Sequence, residues 1–143
     1  MVGGTVGARV YKLKGGHSMR LYSFGASDGR PITQYGSVYV TINGIVYVLE
    51  GDVQVGCMRL APGGRVGAHQ ATTRQLFLVM SGEGWVRGPE PERTAIAVGQ
   101  AAFWEPGEEH ESGSETGMVA FVIEGDTLDP DQFLHLIRSG ETA

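Results

Sequence analysis

The sequence predicts an all-β domain, a sandwich or barrel of short strands with one short helix at its C-terminal end. Three observations carry this. Glycine is far above its ordinary share of about 7%, with 23 in 143 residues, and the glycines stand singly or in pairs between short apolar runs. Such punctuation suits many tight turns rather than one linker. About ten runs of strand-like composition follow one another, with turn signals roughly every 8–12 residues, the spacing of sandwiches and barrels. The one stretch with helix-capping chemistry comes last, from Asp129 onward.

The length suits one domain with a proper core. Three parts are expected: residues 1–18 as a leader or edge strand, 19–126 as the barrel, and 127–143 as a helix and tail packed on it. The Gly-rich leader holds a short strand around Ala8 to Leu13, and Met19 is an alternative start that would make the leader dispensable. Met19 to Phe24 alternates as a strand, and Ala26 to Gly36, with Asp-Gly and Arg-Pro, reads as a loop. Asn43-Gly44 lies between Val38–Ile42 and Ile45–Leu49. It predicts a type I′ hairpin, because both central residues of that turn need positive φ. Glu50-Gly51-Asp52 turns the chain again before a strand at Val53 to Leu60. Gly82-Glu83-Gly84 reads as another hairpin turn. Strands follow at Trp85 to Arg87, Thr94 to Val98, Ala101 to Trp104, Glu109 to Ser112 and Met118 to Glu124, with an exposed loop at Gly88 to Arg93.

Asp129, Pro130 and Gln132 supply an N-cap, a first-turn proline and a capping-box amide. Phe133, Leu134 and Ile137 would share one face of a helix ending before Gly140. Leu76 to Met80, Ile45 to Leu49 and Val119 to Ile123 are apolar on both faces. An antiparallel sheet with one wet face should alternate, so these strands ask for a second cover. A homodimer is the expectation.

Net charge is −5, with no Lys/Arg stripe; nucleic acid is excluded as an expected partner. No apolar run approaches the ~20 residues of a membrane span, and no secretory signal is read at the N-terminus. Cys57 is the one cysteine; it excludes an intrachain disulfide and fits a reducing, cytoplasmic setting.

The motifs sit between Pro62 and Ser112. Gly63, His69, Gln75 and Gly82 form one set, and Gly99, Pro106, Gly107 and His110 a second. In order and spacing the two sets resemble the cupin family, the small double-stranded β-helix (jelly-roll) barrels. The chain is similar to a small single-domain bacterial cupin. Ala71 stands where the family's first motif has its second histidine, and Gln75 where it has a glutamate; one extra residue precedes Pro106. The resemblance implies a jelly-roll barrel and a pocket near its middle. It also implies a divalent transition metal there (Zn, Fe, Ni or Mn), held by His69, Gln75 and His110 with the Ala71 corner empty. Oxygenase, isomerase or lyase chemistry on a small polar metabolite is what the family makes available.

Strand geometry agrees that positions 69 and 71 share a face. Two imidazoles and an amide leave a divalent ion its full charge, so binding weaker than in a four-ligand site is expected. Imidazole favours Zn, Ni, Fe or Cu over Mg or Ca. The alternative is a metal-free, non-catalytic module in which the same three side chains hydrogen-bond a sugar or organic acid; a vestigial pocket on a dimeric scaffold is the third reading. Phe77, Trp85, Phe103 and Trp104 are candidates for a substrate-binding aromatic wall, or simply core. Glu105, Glu108, Glu109 and Glu111 would give the mouth a negative edge. Cys57 is either a replacement ligand or a small buried hydrophobe. His17 and His135 are expected at the surface.

Overall fold

The structure is a computed structural model that describes residues 9–12, 18–21, 26–48, 51, 53–132 and 134–137. Among the described residues ten strands run in order: β1 (Arg9–Lys12), β2 (Ser18–Leu21), β3 (Arg30–Pro31), β4 (Val38–Val48), β5 (Val53–Gln70), β6 (Gln75–Arg87), β7 (Thr94–Ala97), β8 (Ala101–Trp104), β9 (Glu109–Ser114) and β10 (Met118–Glu124). All pairings are antiparallel; β1 and β2 make a two-stranded ribbon and the rest one continuous network. The fold is the all-β jelly roll expected.

Two long strands organise it. The first half of β5 lies between β4 and β10, and its second half pairs with β9. The first half of β6 lies between β10 and β8, and its second half between β7 and β9. Each long strand therefore serves both sheets and bends where it crosses, as strands do at the corners of orthogonal sandwiches. The bends fall at Gly63 (φ +80) and Gly82 (φ +76), in the left-handed region glycine enters freely. At Gly82 a Cβ would also overlap the Gly117 carbonyl. These glycines bound the first motif because the chain turns a corner at each.

Between the sheets Phe77, Val79, Leu60, Met118, Ala120 and Val122 are buried, Phe77 and Ala120 at 1% and 0% exposure. Alternation along β10 and β6 puts Ala120, Val122, Phe77 and Val79 inward, while Leu76, Leu78, Phe121 and Ile123 stay half-buried on the outer face.

Three local expectations are corrected. Asn43-Gly44 is not a turn: β4 passes straight through it, with a bulge between Gly44 and Val46. The Asn43 side chain is buried and accepts a hydrogen bond from Arg59, so tertiary structure uses it as an internal acceptor. The turn comes where Val48 pairs with Val53, around Gly51 at φ +99. Gly82-Glu83-Gly84 is the bend inside β6, with Glu83 opposite Ala97 and Gly84 opposite Ile96. The C-terminal helix shrinks to one 3-10 turn, Pro130–Gln132, whose Asp131 N–H donates to Asp129 Oδ1 at 3.0 Å. Leu134 and Ile137 are exposed at 43% and 76%. Without an apolar face to bury, so short a segment cannot offset helix nucleation. Phe133 and Gly140 lie outside the described residues, as does most of the leader.

Candidate functional site

The site begins with an irregularity in β5. Val66 pairs with Ser112 and His69 with His110, so β5 spends three steps where β9 spends two. One extra residue in one strand is a β-bulge, which re-aims the side chains after it. Strict alternation from inward-facing Val66 would turn position 69 outward; the bulge turns His69 in, with Ala71 following. Gly67 makes the bulge. Its N–H donates to Ser37 Oγ at 3.0 Å, and its missing Cβ leaves room for the Tyr35 carbonyl. A 3-10 turn, Gln34–Gly36, is thereby clamped over β5, with Tyr35 itself left-handed at φ 60. The Tyr35 ring lies flat on the His69 ring, 4.3 Å between centroids and 7° between planes.

Direct pairing across the ladder sets the two imidazoles side by side, 4.3 Å between centroids and tilted by 58°. His69 Nδ1 is 2.7 Å from the Gly67 carbonyl, and His110 Nδ1 is 3.4 Å from that of Glu108. His110 stacks on Trp104 at 4.7 Å, and Trp104 meets Phe77 edge-on at 6.1 Å. Tyr35, His69, His110, Trp104 and Phe77 thus form a column of rings through the barrel. His110 is 3% exposed, and its buried Nε2 has no partner. Burial, then the nearby His69, lowers its pKa from 6.5 to about 4, against a smaller upward pull from the Glu108 carbonyl. The imidazole is therefore neutral at neutral pH.

Gln75 is buried at the start of β6, opposite Trp104 on one side and Glu124 on the other. Together with both histidines it lines a cavity of about 160 Å³, floored by Met58, Val66, Phe77 and Val122. The three side chains read as converging do share one cavity. Of the four proposed wall aromatics, Phe77 and Trp104 line it, and Trp85 and Phe103 do not. Trp85 packs beside Gly113 under the Arg93 guanidinium, 3.7 Å from ring centre to cation. Phe103 alternates with inward-facing Trp104 and looks out.

The acidic mouth is also corrected. Alternation turns Glu109 and Glu111 away from His110, and Arg87 holds them at 2.9 and 3.0 Å. Glu105 pairs with Arg74 at 3.3 Å, and the Glu108 carboxylate accepts the Glu105 N–H. Cys57 is buried on the face opposite cavity-lining Met58, so it is the small hydrophobe of the two readings. His135 is exposed; His17 lies outside the described residues.

Sequence reading missed Glu124. It lines the cavity, and burial raises its carboxyl above the ordinary value, with His69 pulling the other way. Counting by twos from Ala120 and Val122 would have placed it inward. Tyr35 carried no such signal, because it sits in a loop.

A divalent ion would fit the histidines in one respect: each Nδ1 faces a backbone carbonyl, the arrangement that orients Nε2 toward a metal. Ala71, 5% exposed, is a core residue that offers no donor and is not among the residues lining the cavity. Among the described residues no three His, Cys, Asp or Glu side chains are gathered closely enough to hold an ion by themselves. No helix among them is long and apolar enough to cross a membrane.

No family model matches the chain, and no curated protein matches it. Solved structures do. An RmlC-like cupin from Shewanella frigidimarina superposes with TM-score 0.61 at 15% identity, covering 77% of this chain and 94% of that one. KdgF from a Halomonas species gives 0.59 at 15%, covering 73% and 90%. A cupin-2 domain protein from Rhodospirillum rubrum gives 0.60 at 11%, covering 71% and 69%. The chain has the fold of the small bacterial cupins.

Proposed function

We propose that the barrel cavity binds a small polar molecule. In this reading His69 and His110, with Gln75 beside them, hold a divalent transition metal (Zn, Fe, Ni or Mn) and leave coordination positions open. The observation that carries it is the buried Nε2 of His110, which has no partner and lines the cavity beside a second imidazole. A buried acceptor left unpaired costs about 1–3 kcal/mol, and an ion or ligand atom would relieve that. An ion there would act as a Lewis acid toward a bound oxygen. The chain's own contribution is to hold the His110 ring neutral and both rings oriented, with Trp104 and Tyr35 as walls.

Titration of chelator-treated protein with Zn, Ni, Mn and Fe(II), followed by calorimetry, is the test. One ion per chain is expected, with uptake lost in His69→Ala and His110→Ala. Ala71→His should tighten binding by about tenfold or more, since ~1.4 kcal/mol is a factor of ten. Uptake unchanged in both alanine variants would sink the metal.

The second reading, a metal-free binding module, is favoured by the lack of a three-donor cluster among the described residues. A homodimer in the cytoplasm completes the proposal. Its support is the half-buried apolar outer face and the single, unbridged cysteine.

A further inference from the structure

Glu124 is a cavity group that the imidazole pair does not use. It ends β10, faces inward after Ala120 and Val122, and joins the wall beside Gln75. It makes no hydrogen bond or ion pair with any described residue. No Lys or Arg among the described residues lines this cavity. Arg74 is engaged by Glu105 and the Leu128 carbonyl, and Arg87 by Glu109 and Glu111. In the same wall stands the unpartnered Nε2 of His110, in a side chain 3% exposed. With Nδ1–H donating to Glu108, that nitrogen is an acceptor.

The wall therefore presents the Glu124 carboxyl group and an acceptor nitrogen beside the His69 ring, and no Lys or Arg among the described residues. An anion would satisfy neither and would meet Glu124 at low dielectric, where like charges repel strongly. A group with several N–H donors and a positive charge satisfies both. The net charge of −5 favours the approach of such a ligand. The volume sets its size: about 160 Å³ is close to the roughly 150 Å³ cavity that accepts benzene.

We infer that the cavity is a site for a small organic cation, an ammonium or amidinium compound of benzene-like bulk. Its head donates to Glu124 and to His110 Nε2, and its apolar part lies against Met58, Phe77 and Val122. This rests on the metal-free reading of the cavity as the ligand site, since an ion on His110 Nε2 would occupy the acceptor that the head needs.

The test uses chelator-treated full-length protein and three probes of similar size: butylammonium, 1-butanol and butyrate, titrated calorimetrically at neutral pH. Butylammonium should bind at least about tenfold more tightly than either of the others, as a hydrogen bond to a charged group warrants. Glu124→Gln, close in shape to the native side chain, should erase that preference. Butyrate or butanol binding as well as the amine to the wild-type protein overturns the inference without any variant. So does a preference that survives Glu124→Gln. The metal titration separates the two ideas. Amine selectivity without metal uptake keeps this inference and removes the ion, whereas metal uptake without amine selectivity does the reverse.

Discussion

His110 is held neutral by its surroundings, and this sets a pH dependence for the metal-free protein. Its folded pKa is about 4, against about 6.5 in an unfolded chain. Between those values the unfolded state takes up a proton that the folded state refuses, so stability falls as pH drops from about 6.5 to about 4. The loss approaches 3 kcal/mol at ~1.4 kcal/mol per unit. Glu124 works the other way. Its raised pKa lets the folded state hold a proton that the unfolded chain releases, so stability falls as pH rises just above the ordinary carboxylate value. Thermal melts of chelator-treated protein from pH 4 to 7 should show the His110 slope, and His110→Gln should flatten it. An equal slope in that variant would mean that another group carries the proton. The residue scale also shows what sequence can place. His69, Gln75 and His110 were legible from motif spacing, and Glu124 from simple alternation. Tyr35 was not, because only a folded turn brings it onto His69.

At the scale of elements, the bulge in β5 does two jobs through one glycine. It turns His69 inward, and it opens a notch into which the Gln34–Gly36 turn seats its backbone. Gly67→Ala should push that turn off and free Tyr35 from the His69 ring. The expected cost is about 1–3 kcal/mol, the usual range for overpacking, read by denaturant unfolding. Faster amide exchange at residues 34–37 should accompany it. Unchanged exchange there would show that Ser37 and the turn are held by something else. Elements are also where the sequence misled. Asn43-Gly44 has ideal turn chemistry, yet the buried acceptor role of Asn43 overrides it. The C-terminal capping signals are present and do form one turn, but Leu134 and Ile137 after it stay exposed.

At the scale of the molecule, two of the strands that are apolar on both faces, Leu76 to Met80 and Val119 to Ile123, have their burial described. Their inner faces make the core, and their outer faces leave Leu76, Leu78, Phe121 and Ile123 half-buried in adjacent rows of one sheet. If a second copy covers this surface, sedimentation should give a dimer. Leu78→Glu, which places a charge at the centre of the rows, should then shift it to monomer without lowering the melting point of the isolated chain by more than about 1 kcal/mol equivalent. A wild-type monomer across the micromolar range would end the dimer proposal. The glycine punctuation made the fold class readable, but it could not show that Gly63 and Gly82 are corners inside single strands.

Those corners have a mechanical result. Because β5 and β6 each run through both sheets, the halves of the barrel are laced together twice by continuous backbone. Any movement of one half against the other has to bend both strands at their corners, Gly63 and Gly82. Any breathing that admits a guest must leave this lacing whole and be taken up by the short connections at the rim.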